Sequence, residues 1–102
     1  MLEKMTVIAE RADFSFSHDR AIKPDGLRFA ARFEGCGRGH EETYLGYVLK
    51  EGMYYFYEED IAPSAGYFTW IVLTVPASAI SNKDELRILC VILEKKRFPS
   101  RW

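Results

Sequence analysis

At 102 residues, 48% hydrophobic and 28% charged, the chain has the make-up of one folded domain, which excludes extensive disorder and a fibrous polymer. Fourteen basic and 15 acidic residues leave a formal net charge of -1, so no overall field draws it to nucleic acid, and such binding would need a local patch. The one compositional excess is aromatic, at 15%, in residues that fill sheet cores and anchor interfaces.

The opening residues are too acidic for a secretory signal or a membrane anchor, and apolar runs such as Ile88 to Leu93 fall short of the about 20 residues that cross a bilayer. A soluble, cytoplasmic protein is expected, with Cys36 and Cys90 as reduced thiols. Thr6 to Arg11 and Phe14 to Ser17 read as a long extended entry with a bulge between them. Lys23-Pro24-Asp25-Gly26 has turn chemistry and feeds Leu27 to Glu34, where apolar and mostly charged residues alternate with the period of a strand. Gly35-Cys36-Gly37-Arg38-Gly39 is a loop. Tyr44 to Leu49 and Met53 to Tyr57 read as a hairpin closed by a three-residue connection, Lys50-Glu51-Gly52.

Tyr67 to Val75 is rich in aromatic and β-branched residues and stops at Pro76, which predicts a central strand. Leu86 to Lys96 is harder to assign. Ser81 and Asp84 are spaced like a helix-capping pair, but Ile88, Val91 and Ile92 are β-branched and a helix there would be apolar nearly all round, so a strand buried on both faces is favoured. About six strands with turn-like punctuation predict an all-β, antiparallel two-sheet sandwich over residues 6–96, with 97–102 as a basic and aromatic tail of the same single domain. In pattern this resembles small immunoglobulin-like or C2-like sandwiches, a resemblance that carries no motif and no function. The alternative is an α+β domain in which residues 81–96 form a helix packed on an antiparallel sheet.

Candidate chemistry is sparse. Cys36, Arg38, His40 and Glu41 gather a thiol, a cation, an imidazole and a carboxylate in the glycine loop, the ingredients of a metal-dependent or thiol-dependent enzyme. The chain has only two Cys and two His and no second paired spacing, so a solvated loop is the simpler reading. His18-Asp19-Arg20 is better explained as a polar strand exit than as a dyad, because neighbours on an extended chain point apart. Glu58-Glu59-Asp60 could offer oxygens to calcium, yet six to eight must converge, and a solvated turn is simpler. Lys95, Lys96, Arg97, Arg101 and Trp102 combine cations with an aromatic ring, the means for weak nucleic-acid or anionic-surface binding.

The stretch Met53, Tyr54, Tyr55, Phe56 and Tyr57 has aromatics on both faces of one strand, so one set can serve the core and the other a partner. The leading expectation is therefore a non-enzymatic interaction module that binds a protein partner, itself included as a homodimer, through aromatic strand surface. No cofactor, metal or catalytic residue is assigned, and neither membrane nor nucleic acid is the expected partner.

Overall fold

Met5, Ile8, Ala9 and Ala12 recur at the three- and four-residue spacing that lines one side of a helix, and all four are buried. The computed structural model, which describes residues 2–15, 43–62 and 66–99, accordingly begins with helix α1 at Leu2–Glu10. Strands β1 (Thr43–Lys50), β2 (Met53–Ala62) and β3 (Gly66–Pro76) follow, then a single 3-10 turn at Ala77–Ala79 and helix α2 at Lys83–Arg97. The three strands form one antiparallel sheet in the order β1-β2-β3.

This corrects the predicted all-β sandwich: the fold is α+β, and the alternative with a helix near residues 81–96 is the one that fits. The layer expected from a second sheet is helical instead. Thr6 to Arg11, expected to be extended, lies mostly in α1, because its apolar residues follow a helical and not a two-residue period. Leu86 to Lys96 is helix despite its β-branched residues. Leu89, Cys90 and Leu93 are buried and Leu86, Ile88 and Ile92 are packed against them, while Val91 faces out, so the run is less uniformly apolar than its composition implies. The alternating stretch Leu27 to Glu34 lies outside the described residues.

Local chemistry accounts for where α2 starts. Asn82, in an extended conformation, is the N-cap: its side chain accepts from the Glu85 backbone N–H at 2.9 Å, and the Glu85 carboxylate reaches back to accept from the Ser81 N–H at 2.6 Å. The capping pair is thus Asn82 and Glu85, one residue beyond the predicted Ser81 and Asp84. The Ser81 N–H, with help from Lys4, holds the Glu85 carboxyl below its ordinary value against the opposing effect of burial. That contribution is present above the ordinary carboxylate range and is lost as pH falls through the lowered folded-state value. Asn82→Ala is expected to cost about 1 kcal/mol of stability in urea unfolding, with the midpoint shifted and the slope unchanged.

The hairpin between β1 and β2 has two residues in its turn, not three. Glu51 (φ 52°) and Gly52 (φ 77°) both adopt the left-handed conformation, and Lys50 pairs with Met53. Two positive φ values in succession match the right-handed twist of the strands. The Gly52 carbonyl then accepts from the Ala77 N–H at 2.8 Å, tying the turn to the end of β3. Among the described residues the central strand is β2, not the aromatic β3. In β3 one extra residue, Val72, interrupts the register between Leu73 opposite Phe56 and Ile71 opposite Tyr57. This bulge resets the phase, so that Trp70, Leu73 and Val75 reach the same side of the sheet.

The helix-facing side of the sheet is thereby laid out in three rows. Leu45, Glu58 and Trp70 form one, Tyr47, Phe56 and Leu73 the next, and Leu49, Tyr54 and Val75 the last, nearest the hairpin turn. Met5, Ile8, Leu89, Cys90 and Leu93 belong to the same buried cluster as Leu45, Phe56, Leu73 and Val75, which places the core between helices and sheet.

The last turn of α2 binds the layers together. α1 has no basic residue in its own last turn to meet its exposed carbonyls. Lys96 supplies one from α2, donating from Nζ to the carbonyls of Ala9, Glu10 and Ala12 at 3.2, 3.1 and 2.9 Å. Beyond that end the Asp13 N–H donates to the Val72 carbonyl at 2.9 Å, so the chain leaves α1 beside β3. Arg97 turns to the sheet and grips the fully buried Glu58 carboxylate, Nε to Oε1 at 2.5 Å and Nη2 to Oε2 at 3.1 Å, while its guanidinium lies 4.8 Å from the centre of the Phe98 ring.

Candidate functional site

The two helices pack on one face of the sheet, and part of that face stays open beside α2. On α2, Glu85 and Lys96 are about three turns apart and both meet α1, through Lys4 and through the carbonyls at its end. Lys83, Leu86 and Arg87 project from the other flank of α2, toward the hairpin. There they line an open cleft of about 460 Å³ together with Tyr47 and Leu49 of β1 and Tyr54 of β2.

Strand alternation determines the floor of this cleft. Tyr47 and Leu49 are two residues apart on one face of β1, and Tyr54 is the cross-strand partner of Leu49. The Tyr47 ring meets Tyr54 edge-on, with centroids 5.8 Å apart, and lies 5.7 Å from Phe56, whose own centroid is 6.3 Å from that of Tyr54. Phe56 is buried and anchors the cluster, whereas Tyr47 and Tyr54 are only half-buried and Leu49 is 53% exposed. The core thus runs out to an apolar surface at the sheet edge without a break.

The rim is cationic. Lys83 and Arg87, one helical turn apart, are both exposed. Arg87 approaches Asp84 at 3.2 Å, but with both side chains about 70% exposed this pair is worth at most about 1 kcal/mol and leaves the guanidinium free to re-pair. The lining therefore offers two phenols, two leucine side chains, an ammonium and a guanidinium. Such a set can hold an apolar group and neutralise a nearby anion.

The structure separates the predicted aromatic patch. Tyr54 and Phe56 face the helices, Met53 and Tyr55 are half-buried on the opposite face, and Tyr57 on that opposite face is completely buried. Of the five, Tyr54 alone lines the cleft. Among the tail residues, Lys96 and Arg97 are committed to contacts within the chain, Lys95 is exposed, and Arg101 and Trp102 lie outside the described residues. Cys36, Arg38, His40 and Glu41 also lie outside them, as do His18, Asp19 and Arg20. Glu58, considered for calcium, is engaged by Arg97. Among the described residues no three His, Cys, Asp or Glu side chains are placed to share a metal ion.

Tyr47, Leu49, Lys83, Leu86 and Arg87 were not singled out by the sequence patterns. The signal was present in two halves: an alternating Tyr47 and Leu49 on one strand, and Lys83 and Arg87 at a four-residue spacing that counts only if the segment is helical. Among the described residues no helix is long and apolar enough to cross a membrane. Compared with protein-family models, with curated proteins and with solved structures, the chain matches none, so the cleft is read from its own residues.

Proposed function

We propose that the protein is a non-enzymatic interaction module and that the cleft between the β1–β2 hairpin and the first turns of α2 is where it holds a protein partner. The observation that carries this reading is Leu49, half exposed on a bed of Tyr47, Tyr54 and Leu86 and flanked by the cations Lys83 and Arg87. An apolar centre with aromatic walls and a charged rim is the anatomy of a small interface. Tyr suits such a wall because it gives broad apolar contact and keeps a hydroxyl for hydrogen bonding.

The test is affinity capture from a lysate of the source organism with the immobilised full chain, its Leu49→Glu variant and, as control, Val91→Glu. Val91 is exposed on α2 and is not part of the cleft lining. Both replaced side chains are substantially exposed, so each variant is expected to stay folded, with a change of about 0.5 kcal/mol. A partner retained by the parent chain and by Val91→Glu but lost with Leu49→Glu is the expected outcome. The same set of retained proteins for all three overturns the assignment of the cleft.

A further inference from the structure

The lining of the cleft carries hydrogen-bond donors and no carboxylate to accept from them. Among the described residues Lys83 makes neither an ion pair nor a hydrogen bond, and the Tyr54 hydroxyl has no hydrogen-bond partner. Arg87 meets Asp84 through Nη1 alone. The other charges at this corner lie elsewhere: Glu85 turns to Lys4 on the far flank of α2, and Lys50 and Glu51 are outside the lining. A cationic mouth therefore stands over an apolar floor, on a chain whose formal net charge is -1.

We infer that the partner held in the cleft is an acidic segment of another protein in which apolar residues alternate with carboxylates, an inference that rests on the cleft being the binding surface. Alternation suits a floor of one chemistry and a mouth of another, because successive side chains of an extended segment point to opposite edges. One edge lies on Leu49, Tyr47 and Leu86, and the other brings carboxylates to Lys83 and Arg87. The spacings agree. Lys83 and Arg87 are about 6 Å apart along α2, and alternate residues of an extended segment are separated by roughly 6.6 Å. The Tyr54 hydroxyl adds a neutral donor for a carboxylate or a peptide carbonyl.

Two other occupants fit less well. The cleft is open, so a small anion with an apolar body would keep much of its surface in water, whereas small-molecule sites enclose most of theirs. A nucleic-acid strand needs a basic track and free ring faces for its bases. Here Asp84 and Glu51 interrupt the positive charge, and the rings of Tyr47 and Tyr54 meet edge to face. Exposed ion pairs add little affinity, so the mouth selects the partner more than it tightens the complex.

The experiment follows the amide chemical shifts of the isotope-labelled full chain as blocked pentapeptides are added to about 5 mM, a range suited to millimolar dissociation constants. One peptide alternates glutamate with leucine, a second lysine with leucine, and a third glutamate with serine. The glutamate and leucine peptide is expected to move the amides of Leu49, Leu86 and Arg87, and to bind at least about fivefold more tightly than either of the others. In the variant Lys83→Glu/Arg87→Glu the order of the two leucine peptides is expected to reverse. Both replaced side chains are exposed, so the fold is retained, as circular dichroism would verify. No shift from the glutamate and leucine peptide overturns the inference, while the lysate capture still judges the cleft. Equal binding of the two leucine peptides, or a preference that the charge-reversed variant keeps, overturns the acidic partner. Equal binding of the serine peptide overturns the apolar edge. Tighter binding of a short oligothymidylate at the same amides overturns the inference in favour of nucleic acid.

Discussion

Arg97→Met is expected to lower the unfolding free energy by about 3 kcal/mol, because it leaves the Glu58 carboxylate buried without its bidentate partner. Glu58 is fully inaccessible in the folded chain, and Arg97 supplies both a charge and two aligned donors to it. The Arg97 side chain is 31% exposed, which keeps the expected loss at the lower end of the range for broken buried pairs. The double variant Glu58→Met/Arg97→Met removes both charges and is expected to recover more than about 1.5 kcal/mol of that loss. Urea unfolding of the parent, the two single variants and the double variant closes the cycle. A loss below about 1 kcal/mol for Arg97→Met would show that the pair does not hold α2 to the sheet.

The second large effect separates two neighbours on one strand. Phe56→Ala is expected to cost about 3–5 kcal/mol, since it opens a cavity beneath Tyr47 and Tyr54 and beside the buried Leu73 and Val75. Tyr55→Ala, one residue earlier on the opposite face and only half-buried, is expected to cost less than half as much. Phe56→Ala also removes the support of the cleft floor, so amide chemical shifts of Tyr47 and Leu49 should move with it and not with Tyr55→Ala. Equal losses for the two would mean that the strand does not present its faces as described.

Strand signals in the sequence were legible where the chain is locally consistent. The hairpin from Tyr44 to Tyr57 and the strand from Tyr67 to Val75 were both predicted, because β-branched and aromatic residues there coincide with Gly52 and Pro76 as punctuation. The helices were misjudged for two different reasons. In α1 the decisive set is Met5, Ile8, Ala9 and Ala12, and two alanines make a weak apolar stripe that is easily overlooked. In α2, the β-branched residues point to a strand, whereas Asn82 and Glu85 are in place to start a helix and Lys95, Lys96 and Arg97 to finish one.

With both helices taken as strands, only a second sheet is left to cover the first, which is why the pattern points to a sandwich. The cleft was hidden for a related reason. Two of its six lining residues, Leu86 and Arg87, lie in the segment whose β-branched content favours a strand, and they share a flank with Lys83 only on a helix. Tyr54 was singled out, but with neighbours that point elsewhere. β2 is central because it pairs with both of its sequence neighbours, with β1 across Glu51-Gly52 and with β3 where Ala62 meets Gly66.

The bonds from Lys96 to the end of α1 span 84 to 87 residues of chain. During synthesis at about 5–20 residues per second, the carbonyls of Ala9 to Ala12 therefore wait roughly 4 to 17 s for their cation. A nine-residue helix is too short to persist alone in water. α1 is then a late product of folding in spite of its early place in the chain, and its amides should exchange with solvent no more slowly than α2 releases its final turn.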